Sequence, residues 1–120
     1  MSVTFFTENS QELLNKFNQD IRDGVIDTWR VEERDGHQCY IMISPHHEKE
    51  AFFKVLVDKN VLQFFLFKDG DNNNEDIEKD AYAYYSGAIM DAFLLEGTDY
   101  FKYAVVTATP VVDISKINFE

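Results

Sequence analysis

Asp69, Asp71, Asn73 and Asp80 stand at positions one, three, five and twelve of a twelve-residue span. That is the spacing by which a loop wraps oxygen ligands around a hard cation such as calcium. The rest of the span departs from it: Asn74 stands where the turn glycine belongs, Asp76 fills a normally apolar position, and Asp80 is shorter than the usual bidentate glutamate. The segment before it also reads as a strand. A solvated loop running into a helix cap accounts for these residues better, and no metal is expected. His46 and His47, beside Glu48 and Glu50, offer imidazole and carboxylate groups. Neighbours in an extended chain point opposite ways, and no third histidine ligand has an evident place. His37 reads as a residue flanking a turn. Cys39 is the only cysteine, which excludes an internal disulfide and a cysteine-based zinc site. No local motif pairs it with a base, so it reads as a partly buried strand residue. The five glycines form no phosphate loop, no serine sits in a nucleophile elbow, and twenty-two acids alone do not single out an acid–base pair. Neither catalysis nor a cofactor is expected.

What remains is surface chemistry. Residues 69–78 carry Asp69, Asp71, Glu75, Asp76 and Glu78 and no base; Lys79, Asp80 and then Tyr82, Tyr84 and Tyr85 follow. Carboxylates speed association with a cationic partner, and aromatic rings supply anchors that become buried on contact. Tyr84 and Tyr85 fall on the broad apolar stripe of a helix and read as core, which leaves Tyr82 as the tyrosine expected at the surface. The expected partner-binding set is therefore Asp69, Asp71, Glu75, Asp76, Glu78, Asp80 and Tyr82. Within it, residues 80–86, DAYAYYS, resemble the acid-then-Tyr-Tyr element of the colicin nuclease immunity proteins. The resemblance spans seven residues of 120 and lacks the proline that follows the tyrosines there. Those proteins are all-helical and smaller, so it implies a shared surface chemistry and not family membership.

The elements that must position these residues follow from periodicity. Residues 75–95 read as the longest helix. Ile77, Ala81, Tyr84, Ala88, Ala92 and Leu95 form one stripe, widened by Tyr85 and Ile89, and Ala83, Gly87, Met90 and Leu94 form a second. A helix apolar on two sides calls for a cover on each: a sheet on the broad face, and a second helix or another protein on the Ala83/Gly87 face. Asn9 and Glu12 match a capping box ahead of Leu13, Leu14, Phe17 and Ile21, and Gly24 is placed to end that helix, so a first helix is predicted over residues 10–23. Asp35-Gly36 predicts a hairpin in which Arg34 faces His37, Val31 faces Tyr40 and Trp29 faces Met42. That face is expected to be buried, and the face with Arg30, Glu32, Cys39 and Ile41 reads as a mixed surface compatible with solvent. Residues 51–68 predict two further strands turning near Asp58, Lys59 and Asn60. They are apolar on both faces, which calls for cover on each or leaves an exposed apolar patch. Gly97 ends the long helix, residues 100–109 predict a fifth strand of undetermined position, and residues 111–120 a loosely docked tail.

The expected fold is thus a single α+β domain, a mainly antiparallel sheet of four to five strands with two helices packed on it, in the order α-β-β-β-β-α-β. A chain of 120 residues suffices for one core. Apolar residues at 45 % and eleven phenylalanines argue that it folds. The first residues carry no basic leader or long apolar run, and no stretch reaches the length of a membrane span, so a cytoplasmic location is expected. Twenty-two acids against eleven bases give a formal charge of −11 and a pI near 4.5. Such a charge disfavours nucleic acid and anionic membranes and favours a basic protein partner, although solubility alone also explains it. The sequence leaves monomer or homodimer undetermined. The expected function is non-catalytic occlusion of that partner, most concretely by an immunity protein that neutralises a bacterial toxin such as a nuclease. An acidic secretion chaperone or adaptor holding a client segment, and a DNA-mimic inhibitor, are the alternatives.

Overall fold

A computed structural model describes residues 2–43, 51–68, 79–107 and 119–120, the side chains of 68, 79 and 80 excepted. Six strands form one antiparallel sheet: β1 (Ser2–Phe6), β2 (Trp29–Arg34), β3 (His37–Met42), β4 (Ala51–Asp58), β5 (Val61–Lys68) and β6 (Tyr103–Thr107). Their spatial order is β2-β3-β4-β5-β1-β6. Two helices, α1 (Ser10–Arg22) and α2 (Lys79–Glu96), complete the α+β arrangement. The expected element order is corrected by one addition, β1, which precedes α1 and lies between β5 and β6. Without it β6 would have no neighbour, since both its ladder and that of β5 are completed by β1. Among the described residues no helix is long and apolar enough to cross a membrane.

Local chemistry sets the boundaries. Asn9 is extended (φ −146°), and its side chain accepts the Glu12 N–H at 3.0 Å, which satisfies a donor that the first turn leaves free. Asp23 closes α1. The β2–β3 turn places Asp35 at φ 52° and Gly36 at φ 79°, the positive dihedrals of a two-residue hairpin whose twist matches its strands. The predicted register holds in full, with Arg34↔His37, Val31↔Tyr40 and Trp29↔Met42 paired.

Both helices lie on one face of the sheet. Leu13, Leu14 and Phe17 from α1, and Ala81, Tyr85, Ile89, Ala92 and Phe93 from α2, share a core with Val3, Phe5, Trp29, Tyr40, Phe53 and Phe64. Phe64 is its hub: the rings of Phe5, Phe17, Tyr40, Phe53 and Phe93 surround it at centroid distances of 5.5 to 6.0 Å, mostly edge-on.

The opposite face forms a second apolar cluster of Cys39, Ile41, Phe52, Phe65 and Phe67, all buried. The face read as mixed thus divides: Cys39 and Ile41 are fully buried, and Arg30 and Glu32, on the edge strand, meet solvent. Conversely Val31, expected buried, is exposed. The reason is position, for β3 is an inner strand and β2 an edge. Phe119 sets its ring edge-on to Phe65 and Phe67, and Lys54 Nζ sits 4.8 Å above Phe67. The Arg34 guanidinium lies 5.2 Å above Phe52. The backbone of Glu120 then spans β3 and β4, accepting the Gln38 N–H at 2.8 Å and donating to Val55 O at 2.9 Å.

Candidate functional site

Helix α2 is apolar on nearly every side, so hydrophobicity alone does not orient it. The sheet chooses the stripe with the largest side chains. Tyr85, Ile89 and Phe93, spaced four apart, turn inward with Tyr82 and Ala92 beside them. Of the expected broad stripe Ala81, Ala92 and the widening residues Tyr85 and Ile89 are buried; Tyr84 and Leu95 lie outside, at 48 % and 70 % exposure, and Ile77 lies outside the described residues. The expected placement of the tyrosines is therefore corrected twice. Tyr82, expected at the surface, is 9 % exposed, and Tyr84, expected in the core, faces out. The two stripes differ in side-chain size and not in polarity: the 85/89/93 positions carry Tyr, Ile and Phe, whereas the 81/88/92 positions carry only alanines.

The Tyr82 hydroxyl shows why it turns in. It donates towards Ser2 O, at 3.2 Å, and Thr107 O, tying the start of α2 to the paired ends of β1 and β6. Burial pushes its pKa up, partly offset by hydrogen bonds that favour the phenolate. Tyr40 is held similarly, its hydroxyl 2.6 Å from Asn18 Oδ1 and 3.0 Å from Gln38 Oε1, and desolvation raises its pKa strongly. The thiol of Cys39 is raised by burial too, against the pull of Lys54 and Arg34, which favours the inert protonated form.

The outward face of α2 collects Ala83, Tyr84, Gly87, Asp91, Leu94 and Leu95, all exposed, with Leu94 at 54 %. Asp80 lies in the first turn, four residues before Tyr84, and so at a position on the same stripe. One ring, two leucines and two acid positions thus share a face on which Asp91 is the only charged side chain described. A Cβ built on Gly87 meets nothing within 4 Å, and its φ is not in the left-handed region. Glycine here serves no need of the folded chain while weakening the helix interior by about 1 kcal/mol relative to alanine.

Of the expected partner-binding residues, Asp69, Asp71, Glu75, Asp76 and Glu78 lie outside the described residues, as do Asn73 and the stretch with His46, His47, Glu48 and Glu50. Asp80 is placed by its backbone, and Tyr82 is internal. Among the described residues no group of three or more His, Cys, Asp or Glu is placed to hold a metal ion. Between α1 and α2 a void of about 10 Å³ borders Leu13, Phe17, Asp20 and Phe93, room for one water at most. There the Asp20 carboxylate accepts from Lys16 Nζ at 2.9 Å through Oδ1, while its buried Oδ2 meets no hydrogen-bond partner among the described residues. Compared with known proteins, the chain matches no family model, no curated protein and no solved structure.

Proposed function

We propose that this protein is a non-catalytic binding protein that docks on and occludes a basic partner, most concretely an immunity protein for a bacterial toxin. The observation that carries this reading is the outward face of α2, where Tyr84, Leu94 and Leu95 stand exposed on a helix whose other side is fully packed. Exposed aromatic and aliphatic side chains grouped on one rigid element are what an interface core is made from. The acids bracket them: Asp91 lies within the face, Asp80 at its start, and five more acids precede it in the chain. A cationic partner is drawn in by the charge and held by the apolar contact. On the opposite sheet face the large rings of Phe52, Phe65 and Phe67 are buried, so its centre presents no exposed aromatic patch among the described residues.

Co-expression with the product of the adjacent reading frame tests the proposal. The neighbour alone is expected to arrest growth, the pair to grow, and the purified pair to form a complex that Tyr84→Ala weakens at least about tenfold without unfolding the chain. A neighbour that is harmless, or a complex indifferent to Tyr84 and to salt, would overturn it.

A further inference from the structure

The two edges of the sheet are finished differently. β2 carries Arg30, Glu32, Glu33 and Arg34, and charged side chains along an edge discourage another strand from pairing. β6, at the other edge, reads Tyr-Ala-Val-Val-Thr with no charge at all. Among the described residues it pairs only with β1. Tyr103 and Val105 are exposed on one face of the sheet and Val106 on the other, so much of this strand is uncovered, while Ala104 packs on the core and Tyr82 reaches the Thr107 carbonyl. No other described strand meets its outer backbone groups, which suits the addition of a strand, a mode in which main-chain hydrogen bonds supply affinity and flanking contacts supply choice.

The flanking contacts are acidic. Just before β6 the chain forms one wall of an open groove of about 370 Å³, whose other wall is the connection from β1 into α1. Glu8, Glu12 and Asp99 line it, and Lys102 is the one base among its lining residues. Lys102 Nζ stands 3.5 Å from Glu8 in an exposed pair, too weak to neutralise three carboxylates. Tyr100, also in the lining, is fixed there by the Thr7 hydroxyl, which donates to its carbonyl oxygen.

The geometry points to β6 and this groove as one docking surface for an extended, basic segment of a partner protein, which adds a strand to the sheet and sets a lysine or arginine among Glu8, Glu12 and Asp99. Charge argues for this occupant over a second copy. A second copy would bring an uncharged β6 and a formal charge of −11 against the same acidic groove. The inference rests on the proposed function only for the cationic character of the partner, since it uses a different surface from α2.

The full chain, isotope-labelled for NMR, is titrated with an extended peptide of alternating lysine and valine and, separately, with its glutamate–valine counterpart. The basic peptide is expected to shift amides of β6 and of residues 8–12 and 99–102, and the acidic one to leave them unmoved. Glu8→Lys combined with Asp99→Lys is expected to weaken binding roughly tenfold or more, and Val105→Lys to do the same by placing a charge on the edge. Should Val105→Lys fail to fold, the charge-reversed pair, whose side chains are at the surface, still decides. Equal binding of both peptides, or self-association that Val105→Lys abolishes, would overturn the inference, the latter giving the edge to a second copy. Shifts confined to α2 would also overturn it while leaving the proposed function standing. No binding of the basic peptide would overturn the docking edge, and the growth test separately decides the function.

Discussion

Tyr82 and Tyr84 are two residues apart and do opposite things. Tyr82 spends its hydroxyl on the carbonyls of Ser2 and Thr107 inside the fold; Tyr84 presents nearly half of its surface to solvent. Tyr82→Phe is expected to cost about 1–2 kcal/mol in urea unfolding, because it strips a buried hydrogen bond. Tyr84→Ala, at a half-exposed position, should cost less stability than Tyr82→Phe and show its larger effect in partner binding. The buried protons also set an alkaline limit. Burial raises the pKa of Cys39 from its ordinary 9.0 and of Tyr40 and Tyr82 from 10.0. The hydrogen bond to Asp20 raises that of Lys16. Each group holds its proton more tightly folded than unfolded, so its contribution is complete below the unfolded value and is lost as pH climbs through the folded one. The urea midpoint is therefore expected to fall above about pH 9, and less steeply in Tyr82→Phe than in the parent, in a series of unfolding curves across that range.

At the scale of elements, the hairpin and α1 were legible because short-range chemistry fixes them. Asp35-Gly36 dictates its own turn and hence the register, and Asn9 with Glu12 marks the start of α1. β1 was harder to see, although Val3 and Phe5 alternate with Ser2 and Thr4. Five residues carry little periodic signal, and both faces of β1 are buried, so its polar members look like those of a terminal loop. α2 was visible as a helix, but its rotation was not, since an element apolar all round docks by fit and not by polarity. Gly87 gives a direct test of what its outer face is for. Gly87→Ala adds a methyl that meets nothing, so stability should rise by about 0.5–1 kcal/mol in denaturant unfolding. If a partner's backbone approaches closely there, the same substitution weakens the complex, and the two measurements together separate a tolerated glycine from one kept for contact.

At the scale of the molecule, charge governs encounter and apolar surface governs retention. A net charge of −11 should make the association rate with a basic partner fall by about tenfold or more between low and physiological salt, in stopped-flow binding, while the dissociation rate changes little. A rate insensitive to salt would mean that the acids serve solubility alone. The sequence by itself determined the antiparallel α+β class, the β2–β3 hairpin and its register, and the surplus of acids, because these follow from local periodicity, turn dihedrals and composition. Only the tertiary structure decided that β1 divides β5 from β6, that Phe119 closes part of the second sheet face, and that Tyr84 rather than Tyr82 faces outward. Those outcomes depend on which of several apolar surfaces pack best against one another, and that competition is decided between segments far apart in the chain, where no local pattern records it.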